Sequence, residues 1–379
     1  MAEVVLASAS EKQIWVTKFL QEYVRESGFM PYMGTGEDNI IRIRNELKTE
    51  GGSIINVPLI TRLKGRGVRG AEVLKGNEDD LGNYNDQVRI DWIRNGVKVP
   101  KSTSYKTDLD LFGAAKPALR TWDAELIRDD TIDAFASVII PGPLDNNGIA
   151  GTDSAVNYGF STAAQRNTFL QTNSDRILFG SSKANASSGV WATAMGTVNN
   201  TTGKLTAATA KLAKRIARTA GQASGSINIR PYKSDMTAGR EWFLMFCNSM
   251  SFRDLSEDPT IISANTQARA REGDAIERNP LFQDGDLLYN GIIFREIPEI
   301  PVIAGAGAGG IDVGFNFLCG QSSVVLAYGQ DPTFRTDLKE DYEFRPGVAI
   351  EELRGMKKIS YAGKQYGVVT LVNAAVADA

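Results

Sequence analysis

The sequence contains no histidine in 379 residues. That removes the commonest general base near neutral pH and the commonest zinc ligand, and it excludes Ser-His-Asp and Cys-His constellations outright. Cysteine is nearly absent as well. Cys247 and Cys319 are the two present, each beside an apolar run, Phe243 to Phe246 and Phe315 to Leu318, so buried small hydrophobes are expected rather than a disulfide or a reactive thiol. No apolar stretch approaches the roughly 20 residues that span a bilayer. The start, Met1 to Leu6, lacks a basic region followed by an apolar core, so no secretory signal is expected and the chain should be cytoplasmic when made. An excess of positive charge is missing too. The formal net charge is −3, whereas a protein whose main work is gripping nucleic acid needs a concentrated positive surface.

What is present reads as an ordinary soluble protein, 42% hydrophobic and 23% charged, with length enough for two or three lobes. Glycine is plentiful at 37 residues, which fits many loops and turns better than a tightly wound α/β enzyme. One stretch, residues 51–100, organises the rest. Its outgoing arm alternates, with Ile55, Val57, Leu59 and Leu63 on one face and Asn56, Pro58 and Arg62 on the other. The return arm places Val88, Ile90 and Trp92 opposite Gln87, Arg89 and Asp91, the pattern of a half-buried antiparallel strand. Between them runs a segment far longer than the usual hairpin loop of about two to five residues. It carries Lys64, Arg66, Arg69 and Lys75 mostly first, Glu72, Glu78, Asp79, Asp80 and Asp86 mostly later, and Val68, Val73, Leu74, Leu81 and Tyr84 between them. That is enough apolar area to want a partner and too little for a core. The stretch therefore reads either as an arm for neighbouring subunits or as a solvated surface loop.

The run from Pro58 through Thr61, Arg62, Leu63, Lys64, Gly65, Arg66, Gly67, Val68, Arg69 to Gly70, then Leu74 to Glu78, then Val88 to Arg94, resembles the extended loop of a family of tailed-bacteriophage major capsid proteins. The likeness continues through most of the chain and is weaker between about Pro141 and Lys204. It implies an α+β chain with the capsid fold shared by tailed phages and herpesviruses. The expected layout is an N-terminal arm with a short helix (1–50), an extended β-hairpin loop (51–100), a peripheral-domain spine helix (101–140), a Gly/Asn/Ser/Thr-rich insertion (141–203), an axial domain (204–335) and C-terminal strands returning to the peripheral domain (336–379). The implied function is to build the icosahedral shell around double-stranded DNA. Its partners would be further copies as hexamers and pentamers, with scaffolding, portal and decoration proteins as candidates; packaged DNA would be touched weakly and non-specifically, and no membrane is expected. The inter-subunit contact candidates are Arg62, Lys64, Arg66, Arg69, Leu74, Lys75, Glu78, Asp79, Asp80 and Tyr84.

Elsewhere, Ser8 and Glu11 suggest a capping box before a short amphipathic helix ending at Gly28. Asp108 to Ala136 is predicted helical, with Leu109, Phe112, Leu119, Trp122 and Leu126 on one stripe and Pro117 expected to kink or split it. Residues 141–203 read as a variable surface insertion. Lys204 to Ala220 is predicted helical, with Leu205, Ala208, Leu212 and Ile216 inward and Lys211, Lys214, Arg215 and Arg218 outward. A basic amphipathic helix can bind DNA or a membrane, and it can equally be the solvated side of a core helix, the commoner arrangement. Strands are predicted at Ile227 to Arg230, at Trp242 to Phe246 as a central buried strand, and from about Tyr342 to Val372 with Tyr366, Val368, Thr370 and Val372 alternating. Phe252 to Leu255, Asn279 to Phe282 and Leu288 to Ile293 resemble the family's axial domain, and Ala264 to Arg278 reads as charged and partly helical.

Two stretches match the dinucleotide fingerprint by letter, Gly65 to Gly70 and Gly305 to Gly310. That chemistry needs a helix N-terminus after the glycines. The first is followed by glycine-broken loop and the second by a strand-like run. Acidic pairs such as Glu37-Asp38 and Asp129-Asp130 lack an ordered ligand loop for a hard cation. No catalytic residue, metal or cofactor is therefore expected. The competing readings are a mixed α/β nucleotide-binding enzyme using one glycine loop, and another virion component of the tail or portal.

Overall fold

The computed structural model describes residues 28–60, 63, 67–78, 83–106, 111–143, 151–220, 227–235, 239–268, 286–339 and 341–378. The helix expected after Ser8 and the Asn279 to Phe282 stretch lie outside them. The described residues form two compact units. The larger comprises Gly28–Asp91, Ile127–Gln330 and Arg354 onward, the smaller Trp92–Leu126 and Asp331–Leu353.

The larger unit is built on a mixed sheet in which strands follow the order Asp286–Tyr289, Ile292–Glu296, Arg240–Cys247, Val313–Cys319, Val368–Ala374 and Ile177–Phe179. Phe243 pairs with Ile292 in parallel, Leu244 with Cys319 antiparallel, Val313 with Ala374 antiparallel and Thr370 with Ile177 in parallel. Both faces of this sheet are covered. Leu244, Phe246, Phe317 and Val372 point into one apolar cluster while Phe243, Met245, Leu318 and Leu371 point into another. That explains why the central strands read as apolar runs: successive side chains enter opposite faces, and along Val313–Cys319 and Val368–Ala374 every residue is buried. Cys247 and Cys319 sit in adjacent strands of this core as free, buried thiols, and burial pushes both up.

The C-terminal strand corrects one expectation. Its residues do not alternate between core and solvent, because all of Val368–Ala374 is buried. A second correction concerns residues 141–203. Far from lying on the surface, they supply Phe169, Leu170, Ile177, Phe179, Trp191, Met195 and Val198 to the core. The helix Ala163–Thr172 is closed at its start by a capping box between Thr162 and Gln165. Small polar residues there serve as caps and turns around buried apolar side chains, which composition alone cannot distinguish from solvated loop. Residues 227–230 form no strand, although Ile229 is buried.

The predicted basic helix spans Ala207–Thr219, and its packed side is Ala207, Ala210, Ala213, Ile216 and Ala217 rather than the stripe through Ala208 and Leu212. Alanines at these spacings let the helix lie close against the sheet, so the smallest side chains, not the largest, mark the inward face. Phe252 to Leu255 falls in the helix Ser249–Ser256, and Leu288 to Ile293 in the Asp286–Tyr289 and Ile292–Glu296 hairpin.

The long helix is one element, Leu111–Ala136, that runs through Pro117 without being divided. Pro117 falls in its second turn, where the missing N–H forfeits a single ladder bond. At its far end Phe135 stacks on Phe317 at 5.4 Å and meets Phe246 at 5.6 Å, with Phe29 edge-on to Phe246 at 4.7 Å. In the smaller unit Leu119, Val348 and Ile350 form a core with Trp122 and Phe334 against it. Backbone bonds from Val99 to Pro346 and from Lys101 to Phe344, each 3.0 Å, and an Arg335–Glu351 ion pair of 2.7 Å complete it.

A buried lysine closes the long helix. Lys358 Nζ donates to the carbonyls of Phe135 at 3.0 Å and Ser137 at 2.7 Å, satisfying acceptors that a helix end leaves unpaired. Burial pushes its ammonium down to about 7, and a neutral amine still has two N–H groups for the two carbonyls. The unfolded chain binds this proton up to the ordinary lysine range near ~10.4, so between about 7 and that range it holds a proton the folded chain lacks. Stability must therefore rise with pH across this window. Thermal unfolding followed from pH 7 to pH 9.5 is expected to show this rise in the wild type and a flatter dependence in Lys358→Met; equal slopes would contradict the assignment.

Candidate functional site

The hairpin of residues 51–100 is present as two antiparallel strands, Ile54–Ile60 and Asn83–Arg89, in register from Ile54 opposite Arg89 to Ile60 opposite Asn83. Its inner face begins as the alternation predicts, with Ile55, Val57, Val88 and Ile90 buried. Burial then falls away along the arm. Leu59 is half-buried, Ile60 and Leu63 are exposed, and in the described loop 67–78 every residue except Val68 is exposed. Val73 and Leu74 are 68% and 58% exposed, large apolar side chains left largely uncovered by the described residues. Trp92 departs from expectation. The strand is interrupted at Ile90, and Trp92, 51% exposed, does not share the buried face.

At the base of the hairpin lies a buried ionic network. Asp86, counted by sequence among the loop's outward charges, is instead fully buried on the inner face between Tyr84 and Val88. Its carboxylate accepts from the ammonium of Lys357, from the Ser360 amide at 3.0 Å and from the Gln87 amide at 2.9 Å. Lys357 Nζ also donates to the Asp153 carbonyl at 2.6 Å and the Gln87 carbonyl at 3.2 Å. Asp153 in turn accepts from the amides of Gly363 at 2.7 Å and Gly142 at 3.1 Å, and Tyr361 Oη donates to the Val57 carbonyl at 3.2 Å. Burial pushes the Asp86 carboxyl above its ordinary range against the pull of Lys357. Gly355 sits so tightly under Arg89 that an added Cβ would collide with the Arg89 carbonyl. Three separate parts of the chain, near residues 86, 153 and 357–363, thus hold one hairpin base.

Of the contact candidates, Arg69, Leu74, Lys75 and Glu78 lie in the exposed loop and Tyr84 is half-buried on the inner face of the return strand. Arg62, Lys64, Arg66, Asp79 and Asp80 lie outside the described residues. Sequence reading missed Asp86, Lys357 and Asp153. For Asp86 a signal existed, because it shares parity with Val88 and Ile90 and so points where they point. Lys357 and Asp153 gave none, since each is defined by partners remote in sequence. The Gly305 to Gly310 stretch leads through a short turn at Ala308–Gly310 into the strand Val313–Cys319, without the helix that a dinucleotide site requires. Among the described residues no three His, Cys, Asp or Glu side chains stand together as metal ligands would, and no helix is long and apolar enough to cross a membrane.

A covered mixed sheet, one long helix and a two-stranded arm anchored at its base and bare towards its tip make up the fold of tailed-phage capsid proteins. The chain belongs to the phage capsid protein family, whose model matches residues 3–377. It is a bacteriophage major capsid protein, a structural component of the virion capsid that self-associates into shells. It is 38% identical to a chain of the cyanophage Pam1 capsid asymmetric unit, with both chains covered in full and a TM-score of 0.88. It shares the fold of the capsid of Ralstonia phage GP4, at 19% identity, full coverage of both chains and a TM-score of 0.71. It is also 21% identical to the major capsid protein of Pseudomonas phage KPP25 over 96% of this chain and 95% of that one.

Removing the Asp86 carboxylate would leave a buried ammonium without its countercharge, which costs roughly 3–5 kcal/mol. Asp86→Ala is therefore expected to lower the melting temperature sharply in calorimetry, and adding Lys357→Met to it should recover much of the loss. A single variant as stable as the wild type would contradict the network's role.

Proposed function

We propose that many copies of this chain tile an icosahedral shell around double-stranded DNA, each laying its hairpin over neighbouring copies. The observation that carries this reading is the burial gradient, an arm fixed at its base and presenting uncovered Val73 and Leu74 beyond it. Covering one such side chain contributes about 1.5–3 kcal/mol, and each exposed ion pair adds only ~0–1 kcal/mol. Closed symmetry repeats these contacts at every subunit, so small terms suffice. The proposed contacts are Arg62, Lys64, Arg66, Arg69, Leu74, Lys75, Glu78, Asp79, Asp80 and Tyr84, with the basic residues meeting carboxylates of the next copy.

The proposed layout keeps an N-terminal arm at 1–50, a peripheral domain around the long helix and the C-terminal strands, and an axial domain at 204–335. The role is structural, needs no catalytic residue or cofactor, and is fulfilled by assembly in the host cytoplasm. Scaffolding, portal and decoration proteins are further partners of such a shell, and packaged DNA touches its lining weakly and without sequence preference.

Reversing Arg69→Glu together with Lys75→Glu alters exposed positions only. The variant is expected to keep the wild-type circular dichroism and melting temperature while the yield of closed shells, seen by negative-stain microscopy and sedimentation, collapses. Normal yields of intact shells would count against the arm.

A further inference from the structure

The outward face of the helix Ala207–Thr219 concentrates charge in a chain that has no positive excess overall. Lys211, Lys214, Arg215 and Arg218 line one open cleft of about 420 Å³ together with Thr219 and Asn290. A second, of about 310 Å³, continues from Lys214 and Arg218 past Arg240 to Gly291. Among the described residues few carboxylates answer these five cations, and Asp235 is the cross-strand partner of Arg240. Glu241 binds Arg218 at 2.7 Å, and Asp258, which feels Lys211, is already committed to the amides of Ala207 and Thr260, each at 2.8 Å. Lys214 is held by the Asn290 carbonyl at 2.5 Å, and partial burial together with the neighbouring Arg218 depresses its ammonium against the pull of Glu241.

We propose that this face is a contact for the phosphate backbone of packaged nucleic acid, an inference that rests on the shell function above. From Lys211 to Arg218 the helix rises about 10.5 Å, over which one DNA strand presents about four phosphates at intervals of ~3.4 Å. The cleft is open and lined mainly by charged side chains. Tyr289 is occupied by the Lys211 ammonium 5.2 Å from its centroid, Trp242 is the ring that lines the second cleft, and the charged side chains between them address backbone, not sequence. Four cations per copy make a weak grip that salt can release, suited to a genome that must enter and leave.

The test uses the full chain and a fluorescently labelled 20-base-pair duplex, with anisotropy measured between about 50 and 200 mM salt. Four phosphate contacts give an expected slope of log affinity against log salt of about −3.6, a loss of about 150-fold across that range. Lys211→Glu with Arg215→Glu, both exposed, should abolish most of the binding, and Lys211→Gln with Arg215→Gln should lower the slope by about 1.8, while shell formation persists in both. No duplex binding by the wild type, or variants that bind as it does, would overturn the proposal. So would reversed variants that bind duplex normally yet build no shells, which would make the face a contact between copies. A wild-type chain that binds duplex in this way but forms no shells would overturn the shell reading and leave the anion site standing.

Discussion

The ion pair between Asp86 and Lys357 is the constraint on which the hairpin depends. An isolated two-stranded ribbon is marginal in water, and this one carries an exposed loop that contributes no core of its own. Its stability must come from the base. A buried carboxylate with three donors and a buried ammonium with three acceptors meet there, so each charge is compensated and fully hydrogen-bonded. Such a pair contributes less to net stability than to uniqueness, because the alternative arrangements leave a charge buried alone. Slipping the hairpin by one residue would turn Asp86 outward and Gln87 inward, and the network would be lost.

The mixed sheet of the same unit supplies the rigidity that this arrangement requires. Its strands are covered on both faces, and a second buried lysine, Lys358, one residue from Lys357, fastens the end of the long helix. Adjacent residues at the end of the strand Gly347–Lys358 thus serve opposite sides, Lys357 the arm and Lys358 the helix, as the pleat dictates. An arm fixed at its base is what a subunit needs if weak contacts are to add coherently over many copies. Flexibility at the base would return the gain as ordering entropy with each contact made.

Much of this was legible in the sequence, and the boundary between what was and was not has physical reasons. The hairpin, the central strand through Phe243 to Phe246 and the long helix announce themselves by periodicity and length. The core contribution of residues 151–203 was hidden, because Trp191 and Met195 are spaced among alanines, serines and asparagines whose capping roles mimic loop composition. The inward face of Ala207–Thr219 was misplaced by favouring Leu212 over alanines. The anchoring site depended on partners more than 200 residues apart, a separation no local pattern records. Asp86 alone could have been found, by asking why an acidic residue shares a face with Val88 and Ile90.

The central claim is that the arm is fixed at its base in the free subunit and covered along its tip only by other copies. Amide hydrogen exchange of the free chain and of assembled shells tests it most directly. The account predicts that residues 84–90 are protected in both states, whereas 67–78 exchange freely in the subunit and become protected in the shell. Equal exchange of 67–78 in the two states would contradict it.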